Sequence, residues 1–312
     1  MTRKTLYLFL VFLLYVSNLT SQDAAKGGAF SYEGADPKSM AMGGAYVAIT
    51  DDATSLMCNP AGLGFLKGRN VIGVYSRLFG LPLNTGFFAY GQEDVGYGAM
   101  GFSWQYLTAT VGFDAQDWME GVDKTSTNYG EHQINFVWAK PFIPYLSVGG
   151  AIKVLLVSSG FENGSATGYG LDLGVSYRPT SALMLGLVIR NPYTPINWGT
   201  GRKERIPFES ELGVAYSPPL AKKVLIALDI VNGEDLPLER IRFGVEGWIV
   251  ENIFAMRAGY DHTMGSIGRN VYSVGIGLQV PIQKMTYGLD YAYTTDPEEL
   301  GNTHRIGVSG KF

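Results

Sequence analysis

The chain has a single cysteine, Cys58, and three histidines in 312 residues, and those scarcities exclude most site chemistry. An internal disulfide needs two cysteines, and Cys58 reads as a small buried apolar residue rather than a nucleophile. No Cys/His pair has zinc spacing, no EF-hand loop is present, and no serine or acid joins His132, His262 or His304 in a nucleophile motif. The histidines fall at strand starts or loop entries and read as rim residues. No catalytic residue, metal or cofactor is expected. Charge is also scarce, at 17% of residues against a usual ~25%, and the net charge of -4 leaves no basic footprint for nucleic acid. No apolar run reaches the ~18 residues that a spanning helix needs. The glycine spacings Gly168 to Gly174 and Gly275 to Gly277 lie inside alternating stretches with no helix after them, which excludes a phosphate cradle.

What the chain does have is glycine, with 41 residues, and aromatic side chains at 13%, mostly Tyr and Phe. It opens on Arg3 and Lys4, an unbroken apolar run from Leu6 to Val16, and the polar SNLTSQ. This is the pattern of a cleaved export leader, with cleavage expected after Ser21.

From Asn70 onward the sequence has a period of two. Tyr272, Val274, Ile276, Leu278 and Val280 alternate with Ser273, Gly275, Gly277 and Gln279, and Tyr169, Leu171, Leu173 and Val175 alternate with Gly170, Asp172 and Gly174. About fourteen such strands are expected, starting near Val71, Thr85, Gly96, His132, Tyr145, Thr167, Ala182, Pro207, Lys223, Ile241, Ile253, Val271, Met285 and Asn302. Short connections (Gln92 to Asp94, Lys140 to Pro144, Pro179 to Ser181, Val250 to Asn252, around Gln283) alternate with long ones (Thr108 to Glu131, Ser158 to Ala166, Pro192 to Ile206, Asn232 to Arg240, Asp261 to Asn270).

Asp172, Arg190, Glu209, Glu211, Asp229, Arg242, Glu246, Arg257 and Asp290 all fall opposite the apolar series of their strands. In a soluble sandwich the apolar series would be the core; in a membrane barrel it would face lipid and the charges would line the lumen. Periodicity does not separate these two inversions. The leader, the aromatic load and the last strand favour the barrel. That strand, HRIGVSGKF, alternates to a terminal Phe312, resembling the C-terminal signal through which barrel-assembly machinery recognises its substrates.

One stretch breaks the alternation: MGGAYVAITDDATSLMCNPAGL, from Met42 to Leu63. Asp51 or Asp52 is placed to cap a helical turn from Thr54 to Cys58 that Pro60 ends. Gly43 and Gly44 allow a sharp turn or a close backbone approach. The succession GGA, DDA, NPAGL resembles the N-terminal signature of the FadL-like outer-membrane barrels and of their PorV/PorQ relatives.

The resemblance implies an all-β fold: a transmembrane antiparallel barrel of about 14 strands over residues 70–312, with residues 22–69 as a hatch in its lumen and residues 1–21 as the leader. It implies an outer-membrane channel for hydrophobic compounds such as long-chain fatty acids. The alternative is a type IX secretion component that binds secreted cargo proteins. The hatch motif comprises Gly43, Gly44, Asp51, Asp52, Asn59, Pro60 and Gly62. Met57, Leu63, Phe65, Phe113 and Trp118 are candidate contacts for an apolar ligand or lipid, and Arg190, Arg242 and Arg257 are the inward charges expected to meet Asp51 and Asp52.

Overall fold

The computed structural model describes residues 25–26, 34, 36–49, 52–113, 125–160, 163–221, 223–234, 238–265, 268–295 and 301–312. Fourteen strands form the wall: β1 (Arg69–Leu78), β2 (Leu83–Gln92), β3 (Ala99–Phe113), β4 (Thr125–Ile143), β5 (Leu146–Ser158), β6 (Ser165–Tyr177), β7 (Leu183–Arg190), β8 (Glu209–Tyr216), β9 (Val224–Gly233), β10 (Arg240–Val250), β11 (Phe254–Thr263), β12 (Arg269–Ile282), β13 (Met285–Thr294) and β14 (Thr303–Lys311). Each pairs antiparallel with the next. β14 returns to β1, in register from Asn70–Lys311 to Arg77–His304. Closure satisfies the backbone groups that an open sheet would leave at its edges. At the seam, the Arg69 amide donates to the Phe312 carbonyl at 2.7 Å and the Phe312 amide donates back at 2.9 Å.

Burial decides between the two inversions. Asp229 is 0% exposed and Arg257 5%, whereas their outward neighbours Leu228 and Met256 are 38% and 51% exposed. The apolar series is therefore the outside of the wall, a surface suited to lipid and not to water. The three histidines share this outer face with aromatic rings: His132 stacks on Trp104, His262 on Tyr260, and His304 lies between Tyr291 and Tyr293. No helix of the described residues is long and apolar enough to cross a membrane.

The structure corrects two of the expected loops. Most of Thr108 to Glu131 is wall, because β3 and β4 stay paired as far as Phe113–Thr125; the β-favouring Thr and Val of this stretch continue the ladder without an apolar alternation to announce it. Pro192 to Ile206 holds two short strands, Pro195–Trp198 and Lys203–Arg205, paired as a hairpin. The first of them also pairs with the outer end of β6, from Ala166–Trp198 to Gly168–Ile196.

That second pairing marks a break in the wall. β7 accompanies β6 only from Tyr177 to Asp172, so Tyr169, Gly170 and Leu171 face the turn that follows Arg190 rather than a ladder partner. The chain turns at Asn191, which has a φ of +52°, and Asn191 and Thr194 are buried while Tyr193 points out.

Residues 36–49 and 52–66 lie inside the ring. They contain α1 (Pro37–Ala41), α2 (Ser55–Cys58) and a 3-10 helix (Pro60–Phe65). The expected leader, Asp51 and Trp118 lie outside the described residues.

Candidate functional site

Local chemistry shapes the hatch first. Asp36 caps α1, its carboxylate accepting from the Ser39 amide at 3.0 Å, and Pro37 occupies the first turn, where no amide is needed. Asp52 accepts from the Thr54 amide at 2.9 Å at the entry to α2. Asn59 separates α2 from the 3-10 helix that Pro60 opens. Its side chain accepts from the Ala61 amide at 3.1 Å and donates to Val47 O at 3.0 Å and Val175 O at 3.1 Å. One amide thus ties two hatch segments to β6. Gly62 is buried in the 3-10 helix, its amide donating to Asn59 O at 2.9 Å.

The wall meets the hatch through glycine. Four pairs of glycines lie side by side on neighbouring strands with their bare faces inward: Gly91–Gly101, Gly149–Gly174, Gly186–Gly213 and Gly244–Gly259. Each pair makes a flat patch two strands wide, and hatch atoms fill it. Leu56 and Leu63 cover the first, Asn59 to Ala61 the second, Val47 and Ala48 the third, Met42 and Gly43 the fourth. A Cβ on Gly149 would lie 2.7 Å from Ala61 N, and one on Gly244 2.6 Å from Met42 O. Gly275 and Gly307 add contacts with Ala41 and Pro37. Glycine in a strand costs conformational entropy and packs nothing of its own, so it marks the close approach of another backbone. From the hatch side, Gly43 has a φ of +66° and no room for a Cβ against Tyr260, while Gly44, at +80°, packs on the Arg242 side chain.

The charges divide into two sets. Inside the hatch, Lys38 and Asp52 pair at 2.6 Å, both buried. Burial alone would raise the Asp52 carboxyl, but the Lys38 ammonium, with Lys311 farther off, holds it well below the usual carboxylate range. Burial, reinforced by the Asp52 carboxylate, pushes the neighbouring Asp36 carboxyl up to about 7. Asp52 thus meets a lysine of the hatch and not an arginine of the wall. Asn70 links the hatch to the seam, accepting from the Ala53 amide at 2.6 Å and donating to Gly310 O at 3.0 Å.

On the wall, Glu211 lies between two guanidiniums, with Arg190 at 3.1 Å and Arg242 on its other oxygen. Arg190 also donates to the Met57 carbonyl at 2.8 Å and the Cys58 carbonyl at 2.6 Å, the C-terminal end of α2. Arg257 bridges Glu246 and Asp290, each at 2.7 Å, and holds the wall rather than the hatch. Lys153 pairs with Asp172 at 2.7 Å and donates to Asn191 at the break.

These groups surround a cavity of about 140 Å³ above the hatch. Its floor is Met40, Val47, Leu56, Met57 and Cys58, one side carries the amides of Gln105, Gln133 and Asn135, and the other the charged pairs around Arg190, Glu211 and Asp172. Asn191, Ile206 and Pro207 bring it to the break. Ile206 also belongs to an apolar cluster toward the long-loop end, with Leu78, Leu107, Leu155, Val157 and Ile196.

The candidate ligand contacts do not converge. Met57 lines the cavity, Leu63 is packed against the wall by the first glycine patch, and Phe65 lies under the Arg178 guanidinium at 4.4 Å. Phe113 is in β3 rather than in a loop. Lys38, Asn70 and the paired glycines carry hatch contacts that no sequence pattern announced. Only register, which pairs glycines across strands, could have pointed to the last.

No protein-family model and no curated protein matches the chain. Solved structures do share its fold. The Pseudomonas putida toluene transporter TodX is 13% identical, with a TM-score of 0.62 over 93% of this chain and 98% of its own. A Pseudomonas aeruginosa FadL homologue is 11% identical, with a TM-score of 0.59 over 89% and 98%. The monoaromatic hydrocarbon channel CymD is 14% identical, with a TM-score of 0.60 over 89% and 97%.

Proposed function

We propose that this chain is a gated outer-membrane channel of the FadL type for small, mainly apolar compounds. One observation carries the reading: the cavity lies between the apolar cluster of Leu107, Leu155 and Ile206 and the break beside Gly170. A compound gathered at the long-loop end would pass through that cluster into the cavity and leave sideways through the wall into the membrane. Transport of toluene and of monoaromatic hydrocarbons by TodX and CymD supports the substrate class. Size supports it too, since a cavity of about 150 Å³ holds one benzene ring. A long acyl chain needs the hatch or the cluster to move. Leader removal after Ser21 and delivery by barrel-assembly machinery through the exposed Phe312 belong to the same proposal.

The charged side of the cavity sets a condition. A purely apolar guest must leave the Arg190–Glu211 and Lys153–Asp172 pairs intact, because a buried charge deprived of its partner costs about 3–5 kcal/mol.

The test locks the break. A Cβ on Gly170 would lie 3.1 Å from the Thr194 Cβ, slightly inside the ~3.5–4.5 Å that a disulfide spans, so a small outward shift of the turn lets the bridge close. With Cys58→Ser in the background, Gly170→Cys with Thr194→Cys should lose vesicle uptake of toluene at least tenfold when oxidised and regain it on reduction. Equal uptake in both redox states would sink the lateral route.

A further inference from the structure

The outer face of the closing seam carries donors that neither the hatch nor the cavity uses. Arg77 is the register partner of His304 across β1 and β14, and of Asn84 across β1 and β2. The three stand at the next outward position beyond Tyr75 and Ile306, which are 54% and 53% exposed on the lipid-facing side. Arg77 Nε donates to Leu81 O at 3.0 Å. Its two terminal nitrogens have no hydrogen-bond acceptor among the described residues. The Tyr75 hydroxyl donates to Asn84 Oδ1 at 2.9 Å, which leaves the Asn84 NH2 for another acceptor. Tyr291 OH lies 2.7 Å from His304 Nδ1. With the phenol as donor, the imidazole carries its proton on Nε2. The Tyr293 ring packs edge-on against that imidazole at 5.4 Å.

We infer that Arg77, Asn84 and His304 form a binding site for the phosphate of an outer-leaflet lipid. Three donor side chains converge at one height, and no carboxylate pairs with Arg77 or His304 among the described residues. A guanidinium held at Nε presents its remaining edge as a fork that matches two phosphate oxygens. The aromatic rings beneath set the level, since such girdles lie where acyl chains give way to headgroups. The acyl chains would then run down over Tyr75, Ile306 and Val308. The inference rests on the reading that the long-loop end faces outward. It is independent of what the lumen carries.

The probe is diphosphoryl lipid A, compared with its dephosphorylated form, in neutral-detergent micelles of the full mature chain, read by native mass spectrometry. The wild-type protein should retain one diphosphoryl lipid and not the dephosphorylated one. Arg77→Gln and His304→Gln, each checked for a folded barrel by its heat-dependent gel shift, should each weaken retention about tenfold, the worth of one charge-assisted hydrogen bond. Lys223→Gln, at the opposite rim, should retain the lipid as wild type does. Equal retention by the Arg77 and Lys223 variants overturns the site. So does displacement by millimolar inorganic phosphate, which would make it a free-anion site. No retention by wild type would also overturn it, leaving the donors to the chain's own loop carboxylates.

Discussion

Gly149 on β5 and Gly174 on β6 lie side by side in register, and the backbone of Pro60 and Ala61 rests in the space their missing side chains leave. The hatch is held as much by what the wall lacks as by any bond. Gly149→Ala should push the hatch off its seat at a cost of about 1–3 kcal/mol, the usual range for overpacking. The wall's own ladder is untouched by that methyl. The expected result is a barrel with a normal heat-dependent gel shift, faster proteolysis within residues 36–66 and raised single-channel conductance. Unchanged conductance and protection would mean that the contact yields without moving the hatch.

Lys38 is the only hatch cation paired with a hatch carboxylate in the described structure, and removing it strands buried charge. Lys38→Met should destabilise the docked hatch by about 3 kcal/mol, because Asp52 loses its ion-pair partner and must either stay charged in a buried site or take up a proton there. Adding Asp52→Leu should recover most of the loss, since replacing a whole buried pair is far cheaper than breaking it. Hydrogen exchange over residues 52–58 reads both changes. A single variant as protected as wild type would show that the pair contributes nothing.

Asp36 gives the hatch a pH dependence. Its carboxyl is raised from 3.8 to about 7, so the docked hatch holds a proton that the released hatch loses. Stability from this group is fully present below its ordinary value and is lost as pH rises through about 7. Asp52 has the opposite sign, its contribution being lost only in acid. Lys38, Asp52 and Asp290 are the charges acting on Asp36. Proteolysis of the hatch should therefore be faster at pH 8 than at pH 5, and Asp36→Asn should flatten the profile. A flat wild-type profile would contradict this.

Arg190 spans the wall, the hatch and the edge of the break. Arg190→Met should free the Met57 and Cys58 carbonyls, leave Glu211 with Arg242 alone, and cost about 2–3 kcal/mol from the lost charge-assisted bonds. Arg190→Lys should restore little, because an ammonium does not reach two carbonyls and a carboxylate in one plane. Basal permeability of vesicles to a hydrophobic dye should rise in both variants. Wild-type permeability in both would remove Arg190 from the gate.

The sequence by itself determined the strands, their number, their two faces and the place where the pattern stops. Tyr272 to Val280 could be read as a strand because period two is a local property of the backbone. The interruption from Met42 to Leu63 was legible for the same reason, as was the turn at Asn59 and Pro60, whose chemistry acts within a few residues. Which face lies inside was not local. Asp229 and Leu228 alternate identically in a sandwich and in a barrel, and only closure of β14 on β1 buries the first and exposes the second. The partners of the hatch were further still from view. Asp52 meets Lys38 fourteen residues away, and Gly91, Gly149, Gly186 and Gly244 become docking patches only when register sets another glycine beside each. In sequence they are ordinary strand glycines, because a side chain's absence has meaning only once another backbone arrives to fill it.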